Sequence, residues 1–342
     1  MKRTYWTLGL LFALSLLMTM SCSGEDPIKA KRIAIENGTY KPDPNKPDPN
    51  KPDPNKPDPN KPDPNKPDTV PTPEPNPLGD MKTHEITFTF DEWAHPNEKA
   101  AFMLPVEKTL PKLVAGEPYW ESASNMGAAI KFALSSDKTA EDYPIHSLAT
   151  GRTGQALEVM TIEGMKIGGK GIIAGALYSG MLDAGNMMMN PLESTKFGQP
   201  VFAIPLSIKG YYQWLPGMNL VDGKKKNKEI EGQDEATIAC VFYDISQDDS
   251  YLNGKTLYTD PRILAKVQLH PKPTKEGAWT SFEAKLEIIN ETAYKQIDLQ
   301  KGKYRMVLIF SSSARGDEFI GAIGSHLRID DFTVTLGIPT KK

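Results

Sequence analysis

The 342 residues include 40 Lys or Arg against 43 Asp or Glu, a formal charge of −3 that leaves no basic excess to draw the chain onto nucleic acid. Only two cysteines occur, Cys22 and Cys240, so a folded body of this length has to rest on an apolar core rather than on disulfides. Histidines stand alone at 84, 95, 146, 270 and 326, without the paired spacing of a zinc site.

The chain opens with Met1-Lys2-Arg3 and an apolar run from Trp6 to Met20. At about 1.5 Å per residue this run is too short to cross a hydrocarbon core of roughly 30 Å, which makes it a signal segment rather than a span. Its end, Leu17-Met18-Thr19-Met20-Ser21-Cys22, resembles the lipobox of bacterial lipoproteins. That resemblance implies cleavage after residue 21, lipidation of Cys22 and an anchor in the membrane. Loss of residues 1–21 takes the formal charge from −3 to −5. The acidic start Ser23-Gly24-Glu25-Asp26 is similar to export signals that place lipoproteins on the cell surface of Bacteroidetes, so a lipid-anchored outer-membrane location facing outward is expected.

Residues 22–81 read as a lipidated N-terminus and linker. From Lys41 the motif Lys-Pro-Asp-Pro-Asn repeats five times and breaks off at Lys66-Pro67-Asp68. Proline at every second or third position removes amide donors and excludes helical angles, so a disordered Pro-rich stalk is expected, with a reach on the order of 100 Å if extended. The repeats contain no P-x-x-P pattern and their charges cancel, which favours a spacer over a ligand or a membrane-binding polycation.

Residues 82–337 read as one β domain, followed by a short tail at 338–342. His84 to Phe90 alternates polar and apolar side chains, as a half-buried strand does. Comparable segments are Ala129 to Leu134, Ala156 to Ile162, Ile172 to Ser179, Val201 to Tyr212, Ala236 to Tyr243, Leu264 to Leu269, Trp279 to Ile288, Tyr304 to Ser311 and Leu327 to Leu336. Short helical pieces are predicted only near Asn97 to Met103 and Thr292 to Ile297. Some ten strands with irregular connections predict an all-β, two-sheet, jelly-roll-like sandwich. Cys240, inside an apolar strand, reads as a buried hydrophobe. The glycines of 167–176 lack the G-x-x-x-x-G-K-[ST] order and precede no helix, which argues against a nucleotide loop.

Three segments carry a family resemblance: Ala174-Gly175-Ala176-Leu177-Tyr178-Ser179-Gly180, Pro205 to Gly217, and the polar stretch Phe310 to Phe332. Together they resemble the putative carbohydrate metabolism domain found in lipoproteins of gut Bacteroidetes. The final stretch, of the type F-S-S-S-x-x-G-D-x-F-x-G-A-x-G-S-x-L-x-V-D-D-F, is the most specific part. Gln213, Trp214, His326 and Ile329 depart from the pattern without breaking its outline. The resemblance implies a β-sandwich related to carbohydrate-binding jelly rolls; it does not define a reaction.

Sugar recognition needs flat aromatic faces and planar polar groups. Trp120, Tyr178, Tyr212 and Trp214 are the candidates for the first, and Arg315 and Asp317 for the second. Tyr212 and Trp214 share one strand face and each has core packing as its competing use. Glycoside hydrolysis would need two carboxylates across a cleft, for which Glu92, Glu121, Asp183, Asp317 and Glu318 are available, but sequence brings no two together. Ser312, His326 and Asp330 lack a nucleophile-elbow context. The balance at this level falls against an enzyme and toward an accessory lipoprotein that binds polysaccharide or glycan. A structural or adhesive subunit contacting an envelope protein, and a glycoside hydrolase, are the alternatives. No cofactor is required; Asp91 and Asp330 beside the first and last strands are hard oxygen donors and are the candidates for a structural calcium.

Overall fold

The computed structural model describes residues 76–340, apart from 109, 117, 136, 166–169 and 188. The leader, Cys22 and the proline repeats therefore lie outside the described residues. Within the body, the period-two pattern decides the architecture. Along the strand Tyr304–Ser311, the side chains of Tyr304, Met306, Leu308 and Phe310 enter one core, while Val307 and Ile309 enter a second cluster on the opposite face. The neighbouring strand Thr237–Asp244 behaves alike, with Ile238, Cys240 and Phe242 inward and Ala239, Val241 and Tyr243 outward. The middle of both strands is apolar because side chains on both faces enter a cluster there.

Two antiparallel sheets result. The larger runs Thr195–Phe197, Ala176–Leu182, Tyr304–Ser311, Thr237–Asp244, Ile263–Leu269 and Glu287–Ile288, with Gln199–Val201 and Trp120–Glu121 joined at its side. The smaller runs Thr280–Lys285, Ile204–Leu215, His326–Pro339, Ala156–Met160 and Ile145–Leu148, and Met81–Phe88 also pairs with His326–Pro339. Phe310 of one sheet meets Phe332 of the other edge-on, with ring centroids 4.8 Å apart. Cys240 is buried between the sheets, and burial pushes its thiol pKa far up, as befits a core hydrophobe. The two-sheet sandwich expected from the sequence is thus the observed architecture.

The register between Ile204–Leu215 and His326–Pro339 shifts twice, at Leu206 and again at the centre. Lys209 pairs with Thr333 but Tyr211 pairs with Asp330, so two residues of one strand oppose Gly210 of the other. Asp331 sits at this bulge with φ 49°. A Cβ on Gly210 would lie 3.1 Å from the Phe332 Cα, which explains why the strand carries glycine there.

One predicted strand is a helix. Ala129 to Leu134 falls in and just beyond the helix Ala123–Phe132, whose start is set by Ser122: its hydroxyl accepts the Asn125 amide at 3.2 Å. The buried Asn125 then exchanges two 2.8 Å hydrogen bonds with the backbone of Ile145, one in each direction. Tertiary docking through this amide outweighs the alternating pattern. Residues 97–103 form turns rather than a helix, whereas Glu291–Tyr294 is a single helical turn near the place expected.

Candidate active site

The outer face of the larger sheet is only partly covered. Residues 245–258 lay Ile245, Leu252 and Leu257 over Val241, Tyr243 and Val307, and Arg262 holds this segment by donating to the carbonyls of Asp248 and Ser250, both at 2.9 Å. Beside the segment lies an open groove of about 530 Å3. The strands supply Thr237, Gln268, Ile309 and Ser311 to its lining, the helix Ala123–Phe132 supplies Gly127 and Ile130, and Leu257 and Tyr258 come from the covering segment. The turn Gly316–Glu318, from the most specific part of the family motif, brings Asp317, Glu318 and Phe319.

The motif's other polar residues have structural occupations. Ser313 and Ser325 donate to one oxygen of Asp234 at 2.7 Å, and the Ala322 amide reaches the same oxygen at 2.7 Å. Ser312 and Ser313 each lie 2.7 Å from the Thr161 hydroxyl. This buried network locks the loop before and after residues 315–319. Asp317 is different: its Oδ1 accepts the Glu318 amide at 3.0 Å, and the side chain lines the groove. Open to solvent along one side, its carboxyl is half-enclosed by the groove wall, and that partial burial raises its pKa above the ordinary carboxylate range. The Glu318 charge adds to the rise and the Glu318 amide opposes it. Arg315 pairs with Glu318 at 2.9 Å. Phe319 closes the turn with φ 61°, a conformation uncommon for a bulky side chain, and turns its ring to the groove.

The aromatic residues expected to form a glycan platform lie in the interior instead. Trp120, Tyr178 and Trp214 are 1% exposed and Tyr212 is 8% exposed. Alternation places Tyr212 and Trp214 on one face, as expected, but it is the inner face. Trp120 packs against Phe88, Phe90 and Phe310 and donates its indole N–H to Glu107 at 2.9 Å. Tyr178 packs edge-on against Phe197 in the outer cluster. Of the residues singled out from the sequence for sugar contact, Asp317 lines the groove, while Arg315 is outside its lining and pairs with Glu318. Phe197, Tyr258 and Phe319 are the aromatic residues in its lining, and sequence reasoning proposed none of them for contact. The only available signal was the phenylalanine two residues after Asp317 in the motif, since Tyr258 lies in an aperiodic loop.

Asp91 and Asp330 flank the turn at 151–155 from two sides. Asp330 Oδ2 accepts the amides of Arg152 and Thr153 at 2.7 and 3.0 Å, and its Oδ1 accepts the Asp331 amide at 2.7 Å. Asp91 Oδ1 accepts the Gln155 amide at 2.9 Å. Backbone amides thus engage both oxygens of Asp330 and Oδ1 of Asp91. Among the described residues no group of three or more His, Cys, Asp or Glu is placed to hold a metal ion.

A second polar assembly crosses the outer face of the smaller sheet. His146, Glu158, Arg328 and Gln213 are consecutive register partners on four strands. Glu158 accepts from Arg328 at 2.8 Å and lies 3.0 Å from a ring nitrogen of both His146 and His326. Burial alone would raise the Glu158 pKa, but these three partners outweigh it and hold the carboxyl far below its ordinary range. A carboxylate so fully engaged is a structural anchor.

The body is an antiparallel two-sheet sandwich with a largely apolar groove on one outer face and Asp317 in its lining. The model of the putative carbohydrate metabolism domain matches residues 89–335, and the chain belongs to that family. A solved structure from Bacteroides thetaiotaomicron, described as a putative glycoside hydrolase, is 32% identical, with 75% of this chain and 71% of that chain covered and a TM-score of 0.62. A second, from Bacteroides vulgatus and described in the same words, is 29% identical, covers 73% of this chain and 97% of that chain, and gives a TM-score of 0.60. No curated protein matched the chain. The two structural relatives overturn the expectation that weighed against an enzyme.

Proposed function

We propose that this domain cleaves glycosidic bonds in the groove, with Asp317 as the proton donor. The observation that carries the reading is the position of Asp317 on the groove wall, where partial desolvation raises its pKa, next to a second carboxylate held by Arg315. The family membership and the two relatives described as glycoside hydrolases support it. In the step envisaged, the Asp317 proton passes to the glycosidic oxygen as its bond to the anomeric carbon breaks and the electron pair leaves on that oxygen. A water adds to the anomeric carbon and gives its proton to Glu318. Such a single displacement by water inverts the anomeric centre and calls for about 6.5–9.5 Å between the two carboxyl groups around a bound substrate. Tyr258 and Phe319 offer ring faces against which a sugar can lie.

General acid catalysis contributes about 10²- to 10⁴-fold, so Asp317→Asn is expected to lower the release of reducing ends by about 100-fold or more at an unchanged melting temperature. Activity that survives this substitution would remove Asp317 from the mechanism. Because the acid has to be protonated, the alkaline limb of the rate profile is expected above the ordinary carboxylate range. The lipobox-like leader and acidic flank support display of this activity on a lipid-anchored chain at the outer membrane. Loss of acyl-chain incorporation in Cys22→Ser is the corresponding test.

A further inference from the structure

The outer face of the smaller sheet, on the far side of the sandwich from the groove, carries rings as well as the polar row. Thr280 pairs with Tyr212 and Ser281 with Tyr211. Tyr212 points into the core, so alternation brings Tyr211, Gln213, Ser281 and the preceding Trp279 to the outer face. The Gly277 amide donates to Gln213 Oε1 at 3.1 Å, which holds the approach to Trp279 beside that strand. Trp279 is half-buried and lies in neither apolar cluster, and its indole N–H has no hydrogen-bond partner among the described residues. Tyr211, diagonal to it, is also half-buried, with the Arg152 guanidinium carbon 3.8 Å from its ring centroid.

The donors beside these rings are fixed in place. Arg328 donates from Nε to Glu158 at 2.8 Å and from Nη1 to Gln213 and Glu276 at 3.2 and 3.3 Å, while its Nη2 has no partner among the described residues. His326 donates from Nδ1 to Glu158 at 3.0 Å, and its Nε2 likewise has none there. Donors already held by the fold lose little side-chain freedom on meeting hydroxyls. The charges around them are met within the protein: Glu158 takes Arg328, Asp331 takes Arg152 at 2.6 Å and Glu85 takes Lys209 at 2.6 Å. An ionic ligand therefore gains little here. Apolar ground for a protein partner is missing too, since none of the exposed large hydrophobic side chains among the described residues belongs to the strands Ile204–Leu215, Thr280–Lys285, His326–Pro339 or Ala156–Met160.

We infer that this face is a second glycan-binding surface, which takes a ring of a neutral polysaccharide against Trp279 and bonds its hydroxyls through Arg328 and His326. A pyranose combines an apolar face of C–H groups with a rim of hydroxyls, and this surface sets one flat ring beside fixed donors. Holding a polymer here raises its local concentration at the domain without any part in bond cleavage. The inference stands without the hydrolase reading.

The test is native affinity electrophoresis of the full chain in gels containing xylan, β-glucan, galactan or galactomannan, with polygalacturonate as the anionic comparison and sugar release from short aryl glycosides followed in parallel. At least one neutral polysaccharide is expected to retard the parent. Trp279→Ala is expected to weaken that binding by about tenfold or more, His326→Ala to weaken it less, and Trp279→Phe to restore much of it, with melting temperatures showing that each variant is folded. Sugar release from the short substrates is expected to be the same in Trp279→Ala as in the parent. Retardation that is unchanged in the folded variants, confined to polygalacturonate, or absent across the neutral panel would overturn the inference. Retardation lost in Asp317→Asn but kept in Trp279→Ala would assign the binding to the groove and overturn it as well. Trp279-dependent retardation of a chain that releases no sugar would sink the hydrolase and leave this surface standing.

Discussion

Glu158 shows how one side chain can tie a sheet together. Its carboxylate takes Arg328 and two histidines, so truncation to alanine leaves a half-buried guanidinium with only Gln213 and Glu276 and takes a partner from two ring nitrogens. Glu158→Ala is expected to cost about 3–5 kcal/mol in urea unfolding at neutral pH. The sign of the pH dependence follows from the depressed pKa. Stability from this group is fully present above the unfolded carboxylate range and is lost as pH falls from that range toward the folded value. Glu158→Gln, which removes the charge at constant shape, should flatten that acid slope; an undiminished slope would assign acid sensitivity to other groups. The tryptophans call for a similar reassessment. Trp120→Ala and Trp214→Ala each remove a buried ring, and about 3–5 kcal/mol of destabilisation is expected by denaturant titration. Weakened glycan retention with undiminished stability would instead return these rings to the surface.

At the level of elements, strands bounded by polar residues and glycines were legible, and an element whose state is set by tertiary contacts was not. Tyr304–Ser311 was readable to its ends because polar residues and glycines bound an unbroken β-favouring run. The helix Ala123–Phe132 was not, since Ala-Ile-Lys-Phe-Ala-Leu satisfies a strand template locally, and only the Asn125 contacts to Ile145 tip the balance. A backbone constraint supports the short strand Thr195–Phe197 in turn. Gly180 pairs with Phe197 at φ 154°, and a Cβ on it would fall 2.2 Å from the Lys196 carbonyl oxygen. Gly180→Ala is therefore expected to destabilise by about 1 kcal/mol or more and to raise hydrogen exchange along that strand. Normal protection in the variant would show that the edge can shift without cost.

For the whole molecule, the fold class followed from the period-two pattern, but the site did not, because it belongs to the outside of a sheet whose sequence is apolar on both faces. Asp317 was legible through the motif. Tyr258 and Thr237 were not, as one comes from a covering segment and the other from a strand end, and only the folded arrangement brings them to one groove. The aromatic signal misled for the same reason: large rings near glycines and prolines serve a carbohydrate platform and a two-sheet core equally well. What the fold adds is a division of labour, with the inner faces supplying stability and one outer face left open for chemistry. The most direct measurement is release of sugar from a panel of alkyl and oligosaccharide glycosides by the full chain and by its folded Asp317→Asn variant. Cleavage by the parent that drops by about 100-fold or more in the variant is the predicted result. Cleavage that is equal in the two, or absent from a folded parent across the panel, would contradict it.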